Sequence, residues 1–191
     1  MSVSVGGGPP DMLLEGSENI DGIACSWSPA TRCVLGEVSP GRKQCIFTEL
    51  DPKRGRGKEL ARITLDQPAD NYYWAISPDG SRLAFAQDLR ARERRIRILP
   101  LSGGKARDVV IQRDIQMRSL DWAIDDSGFF VGSCAPEPAL LFVDMDGRTN
   151  ILWKGERVWE EGPRAMPSPD GRHLALRILT NDANIWMLEN F

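Results

Sequence analysis

The chain has 191 residues, 41% of them hydrophobic and 27% charged, which is typical of a soluble protein with a packed core. No stretch approaches the roughly 18 consecutive apolar residues of a membrane span, and the opening MSVSVGGGPPD lacks the basic and apolar regions of a signal peptide. Composition therefore excludes collagenous, coiled-coil, membrane-spanning and disordered proteins, and a net charge of −3 argues against a dedicated nucleic-acid binder.

Four segments share one pattern, in which a turn rich in Ser, Pro, Asp and Gly separates two short apolar runs. These repeat cores are residues 24–37, 73–85, 121–133 and 164–176. We align them on shared turn residues, namely Ser28 with Ser77, and Gly80 with Gly128 and Gly171. The tripeptide WAI occurs at both 74–76 and 122–124. A period of about 45 residues without a helical pattern predicts one four-stranded antiparallel unit per repeat.

Between the cores lie further pairs of strand-like runs joined by turns that contain Gly. They occupy residues 44–63, 94–111 and 139–153. In the run RRIRIL, alternation predicts Ile96 and Ile98 on one face of a strand and Arg95 and Arg97 on the other. No helix is predicted, and residues 88–99 read as a charged loop that enters a strand. The sequence thus predicts 16 or 17 short strands, of about the usual length.

The segments SPDGSRLAF and SPDGRHLAL closely resemble the repeat signature of TolB-type, WD-like β-propellers. Pro presets φ for the turn, Asp accepts hydrogen bonds there, and Gly supplies a positive φ. The structural turn residues carried over from this resemblance are Ser77, Pro78, Asp79, Gly80, Ser168, Pro169, Asp170 and Gly171. The first copy departs from the motif with Ala30 and Thr31, and the third reads DDSG from Asp125 to Gly128.

The resemblance implies an all-β propeller that occupies residues 1–191 as a single domain. It would contain about four four-stranded antiparallel blades, arranged as a partial ring or a small closed ring. We expect SVSV and DMLL near the start to be strands, and NIWML (184–188) to be the third strand of the fourth blade. Because the sequence starts inside a blade, we expect it to be the tail of a longer protein.

Catalytic and metal-binding motifs are weak in this sequence. His173 is the single histidine, and there is no nucleophile elbow, P-loop or dinucleotide fingerprint. SGGK (102–105) and DMDG (144–147) read as hairpin turns rather than phosphate or calcium loops, since the later calcium ligands are missing. The pair Glu160–Glu161 reads as solvated loop charge. We therefore predict no enzyme activity, no catalytic residue, no cofactor and no metal.

Two basic clusters, KRGRGK (53–58) and the arginines between 90 and 97, are expected on opposite faces of the propeller. They would form no common electropositive surface and do not alternate with aromatics, so nucleic acid is not an expected partner. Trp27, Trp74 and Trp122 recur at the end of each first strand, where packing between blades is the expected role. Trp159, in the connection to the fourth blade, is kept as a possible ligand-facing residue.

The four cysteines are too few for a disulfide scaffold. Cys45 and Cys134 stand in apolar runs, where buried thiols are usual. Cys25 and Cys33 flank the first turn on adjacent antiparallel strands, whose facing Cα atoms lie about 4.5–5.5 Å apart, within reach of a disulfide. One residue of register slip would separate them. Two readings therefore stand: a disulfide, or two ordinary small apolar residues.

The resemblance implies a non-enzymatic interaction or sensor module, the C-terminal part of a bacterial regulatory protein. The alternatives are an accessory propeller of a peptidase or hydrolase, and a TolB-like periplasmic adaptor. Its partner would be an unknown protein or a small ligand, without membrane insertion, and it would form a homodimer through its terminal blade edges. The compartment is left open between the cytoplasm and, within a membrane-anchored parent, the periplasm.

Overall fold

The protein is described from a computed structural model. The structure describes residues 6–9, 12, 14, 18–27, 32–65, 72–87, 94–155 and 162–179. Within these ranges the chain forms fourteen β-strands and no helix. The strands are β1 (Ile20–Cys25), β2 (Cys33–Val38), β3 (Gln44–Asp51), β4 (Gly55–Thr64), β5 (Tyr72–Ile76), β6 (Arg82–Gln87), β7 (Arg95–Pro100), β8 (Arg107–Val110), β9 (Gln116–Trp122), β10 (Gly128–Ala135), β11 (Ala139–Asp144), β12 (Thr149–Lys154), β13 (Arg164–Pro167) and β14 (Leu174–Arg177).

The strands form successive antiparallel sheets, each built from strands that are consecutive in the sequence. The first three sheets have four strands each, β1–β4, β5–β8 and β9–β12, and the fourth contains β13 and β14. This confirms the all-β, propeller-type fold with one sheet per repeat. The predicted number of strands was higher than the fourteen of the described ranges. SVSV and NIWML lie outside those ranges, and DMLL is described only at Met12 and Leu14, which are not in a strand.

We call the face of a sheet that lies toward the preceding sheet its front face, and the opposite face its back face. In the first sheet the back face is the one that lies toward the second sheet. In the second sheet the front face carries Trp74 and Phe85, which are direct cross-strand partners. These two pack into one core with residues from the back of the first sheet, including Phe47. A second, larger core joins the back of the second sheet to the front of the third, and Leu120 and Phe129 belong to it. The sheets therefore stack face to face.

The predicted alternation in β7 is confirmed. Ile96 and Ile98 are buried in the second core, whereas Arg95 and Arg97 are exposed and pair with Asp108 on β8. The basic segment KRGRGK was predicted as a turn, but only its first two residues, Lys53 and Arg54, lie in the turn after β3. The remaining four begin β4, because pairing with β3 resumes at Gly55.

Candidate interaction face

The turns that join the first and second strands of each sheet are built from side-chain hydrogen bonds. In the second sheet the Arg82 backbone N–H donates to Ser77 Oγ at 3.0 Å, and the Ser81 N–H donates to Asp79 Oδ1 at 3.0 Å. Gly80 has a φ of 72°, which disfavours any residue with a β-carbon. The turn in the fourth sheet has the same construction, with Ser168 Oγ, Asp170 Oδ1 and Gly171 in these roles.

The third turn corrects our alignment of the repeats. The Asp126 N–H donates to the Ala123 carbonyl, as Gly80 does to Ser77, and Asp126 has a φ of 61°. Asp126, not Gly128, therefore occupies the position of the turn glycine. Aspartate is one of the few residues besides glycine that tolerates this conformation, and Gly128 instead begins β10.

The first turn also differs from the expected register. The Ser26 N–H donates to the Arg32 carbonyl and Ser26 Oγ accepts from the Arg32 N–H, as Ser77 does with Arg82. Ser26, not Ser28, therefore matches Ser77, and the first turn is one residue longer than the others. The equivalent positions are Ser26, Ser77, Ala123 and Ser168.

The corrected register separates the tryptophans. Trp122 is the residue directly before Ala123, whereas Trp74 lies three residues before the equivalent Ser77. Trp27 instead follows Ser26, beyond the end of its strand, and is 51% exposed. Trp74 of the second sheet packs on the first sheet, and the Arg82 guanidinium of the second sheet lies 5.1 Å from the ring centre of Trp122 in the third sheet. Packing between sheets thus describes these two but not Trp27. Trp159 lies outside the described residues.

The four turns contact one another in sequence order. Between the first and second turns, the Trp27 N–H donates to the Pro78 carbonyl and Arg32 donates to the Gly80 carbonyl, both at 3.1 Å. We call this series of turns the turn row: residues 26–27 and 32, 77–82, 123–128 and 168–173.

The same order continues along the turn row. Arg82 of the second turn donates to Asp126 of the third at 2.7 Å. A β-carbon on Gly171 of the fourth turn would lie 2.6 Å from the Ile124 side chain of the third. The position with positive φ therefore faces the preceding turn each time, whether glycine or Asp126 occupies it.

The carboxylates of the turn row serve to hold the turns. Partial burial raises the pKa of Asp79, but hydrogen bonds from Ser77 and Ser81 outweigh this effect and lower it to about 2. Hydrogen bonds likewise lower the pKa of Asp125, chiefly from Ser127, and that of Asp170, chiefly from Ser168. These groups are ionised at neutral pH and occupied by local donors, so they are poor proton carriers.

No described part of the chain places three or more His, Cys, Asp or Glu side chains together for a metal ion. The His173 side chain is 80% exposed, and its Nδ1 lies 3.8 Å from Asp170 Oδ1. Asp144 Oδ1 accepts the backbone N–H groups of Asp146 and Arg148, so this oxygen holds the DMDG turn. SGGK lies in the connection between β7 and β8, as predicted.

Cys25 and Cys33 face each other directly in the register of β1 and β2, and the structure joins them by a disulfide. The pair occupies the last cross-strand position before the turn. In the other sheets apolar pairs stand there: Ile76 with Leu83, Trp122 with Phe129, and Pro167 with Leu174. The disulfide remains a prediction for the protein in solution, which free-thiol labelling tests. Cys45 and Cys134 are buried thiols outside this disulfide.

Asp121 is a buried carboxylate that sequence reasoning missed. It lies on β9 with its side chain 17% exposed, and Arg164 Nε approaches its Oδ2 at 3.7 Å. Burial raises the pKa of Asp121 to about 7, although the positive charge of Arg164 opposes this shift. The sequence signal that could have identified Asp121 is its acidic side chain inside the strand-like run QMRSLDW.

Neither a protein-family model nor a curated protein matches the sequence. Solved structures do match, among them TolB from Acinetobacter baumannii, with 20% sequence identity and a TM-score of 0.63. The match covers 91% of this chain and 41% of that TolB chain, so this chain spans less than half the length of its neighbour. The likeness shows a TolB-like, propeller-type fold. The described residues contain no helix long and apolar enough to cross a membrane.

Proposed function

We propose that the chain is a non-enzymatic β-propeller module that binds a protein or small ligand through the turn row, within a bacterial regulatory protein. The observation that carries this proposal is that the polar groups of the turn row are engaged in hydrogen bonds with one another. Asp79, Asp126 and Asp170 hold serines, backbone N–H groups and a neighbouring arginine in place. They thus support a fixed surface rather than acid–base chemistry, which favours recognition over catalysis.

Binding is tested with a displayed library of random peptides, selected on the immobilised protein under non-reducing conditions. In the variant His173→Cys, a bulky maleimide adduct would stand on the turn row, because this side chain is 80% exposed. The matched control is the same adduct on Leu152→Cys, an exposed position of the outer strand β12. Cys45 and Cys134 are buried and should not react.

We expect selected peptides to bind the unlabelled protein and the Leu152→Cys adduct, and to lose binding to the His173→Cys adduct. Equal binding to both adducts would contradict the proposal, as would a selection that yields no peptide above the bare support. Catalysis is tested separately with ester, phosphate and peptide substrates, and we expect no turnover. Turnover that follows the purified chain and is lost on a single substitution in the turn row would also overturn the proposal.

A further inference from the structure

The two cysteines that face each other at the end of β1 and the start of β2 differ in their access to solvent. Cys25 is exposed, whereas Cys33 is only 5% exposed. In the second and third sheets both members of the equivalent pair are buried in the core that joins their sheet to the preceding one. Within the described ranges no sheet precedes the first, so the Cys25 side of the pair stays open.

A small apolar cluster protects Cys33 but not Cys25. Cys33 packs with Leu35 of β2 and Leu50 of β3. Leu14 lies against this cluster and adds to its cover. Cys25 of β1 lies outside the cluster and remains exposed. A reagent in solution therefore meets Cys25 rather than Cys33.

Access of this kind decides how a disulfide exchanges with an external thiol. A thiolate attacks one of the two sulfurs and expels the other, so the accessible sulfur is the one that is attacked. We propose that Cys25 is a thiol–disulfide exchange site for small thiols of the glutathione class, with Cys33 as the leaving sulfur. This inference goes beyond the proposed function, because it concerns a covalent reaction on β1 rather than ligand recognition by the turn row.

The exchange has two steps. In the first, a small thiolate bonds to Cys25 Sγ, the bond between Cys25 and Cys33 breaks, and Cys33 leaves as a thiolate that takes a proton from water. In the second, another small thiolate attacks the non-protein sulfur of this mixed disulfide. The small disulfide is released, and Cys25 leaves as a thiolate that is protonated in turn. Two small thiols are oxidised and the protein disulfide is reduced, so the electrons balance.

The surrounding structure keeps the two cysteines together after their bond is broken. On one side of the pair β1 and β2 continue as cross-strand partners. On the other side Ser26 and Arg32 exchange hydrogen bonds. Cys33 therefore stays beside Cys25 and expels the small thiol from the mixed disulfide, which re-forms the original bond. Removing the Cys33 sulfur should consequently trap the adduct on Cys25.

The trapping variant is Cys33→Ser, and the matched control is Cys25→Ser, which keeps the buried cysteine instead. Each folded protein is incubated with oxidised glutathione, which the free cysteine attacks with release of one reduced glutathione, and the adduct is mapped by mass spectrometry. We expect the adduct on Cys25 to form at least about tenfold faster than the adduct on Cys33, since buried thiols are inert. In urea the two variants should react at similar rates, because both cysteines are then accessible.

The wild type gives a second measurement that does not depend on how the variants fold. Reduced wild-type protein, freed of reductant without oxygen, is pulsed briefly with a maleimide and mapped in the same way. We expect Cys25 to be labelled first, and Cys33, Cys45 and Cys134, which are buried, to be labelled slowly. Labelling of Cys33 before Cys25 or together with it would overturn the proposal. So would equal rates for the two folded variants, the absence of an adduct on Cys25 in Cys33→Ser, or four free thiols in unreduced wild type.

Discussion

The Trp74 ring of the second sheet occupies the space where Gly36 of the first sheet would carry a side chain. A β-carbon built on Gly36 would lie 2.6 Å from Trp74 Cζ2, far inside van der Waals contact. Gly22, the cross-strand partner of Gly36, faces the same ring at 3.8 Å, an ordinary contact distance. The first two sheets therefore pack more closely at Gly36 than at Gly22.

We predict that Gly36→Ala lowers the free energy of unfolding by about 1–3 kcal/mol, the usual range for overpacking. Gly22→Ala is the matched control and should be neutral or slightly stabilising, because alanine restricts the unfolded chain. Urea denaturation of both variants measures the difference. A second substitution, Trp74→Leu, should recover part of the loss in the Gly36→Ala background. Equal effects of the two alanines would show that the ring moves aside freely.

The disulfide between Cys25 and Cys33 should be detectable as two missing free thiols in unreduced protein. Denaturation and alkylation followed by mass spectrometry should label only Cys45 and Cys134. Reduction should lower the free energy of unfolding by about 2–3 kcal/mol, the amount expected for so short a loop. Cys25→Ile/Cys33→Leu copies the apolar pair of the second sheet and should make stability insensitive to reductant. Labelling of all four cysteines before reduction would show that the bond is absent.

Asp126 should be replaceable by glycine but not by alanine. Asp126→Ala keeps the unfavourable positive φ and loses the ion pair with Arg82, so we expect a loss of about 1–2 kcal/mol in unfolding free energy. Asp126→Gly relieves the backbone while losing the same pair, so its effect should stay within about 0.5 kcal/mol of zero. Thermal denaturation of both variants decides the matter. A glycine variant as unstable as the alanine variant would mean that the side chain, not the backbone, dominates.

Asp121 should make the protein less stable as pH rises from about 4 to about 7. Its folded pKa of about 7 lies above the ordinary value of 3.8, so the folded state holds a proton that the unfolded state releases across this range. That stabilisation is complete below the ordinary pKa and is lost as pH approaches 7. Asp121→Asn should flatten this slope and, after allowance for partial solvent exposure, be more stable at pH 8 by about 1–2 kcal/mol. Denaturation at pH 4, 6 and 8 measures it. A steeper slope in Asp121→Asn would contradict the assignment.

The sequence contained enough information for the fold, since paired apolar runs and two intact SPDG turns recur with a period close to the true one. The predicted register of the first and third repeats was wrong because we aligned residues of the same type. Gly128 looks like the turn glycine, yet Asp126 adopts the positive φ and binds Arg82 of the neighbouring sheet. Contacts between repeats decide such positions, and a repeat considered alone does not contain them.

Every sheet in the described ranges pairs strands that are consecutive in the sequence, which has a consequence for synthesis on the ribosome. Each sheet can complete its backbone hydrogen bonds as soon as its own strands have emerged, because it borrows none from later residues. Its back face then remains uncovered until the next sheet has formed. During that interval the apolar backs of the first two sheets, with Val34 and Ala84, are the surfaces at risk of misassembly. The fourth sheet carries the charged and exposed Arg177 on its back face, which lowers this risk.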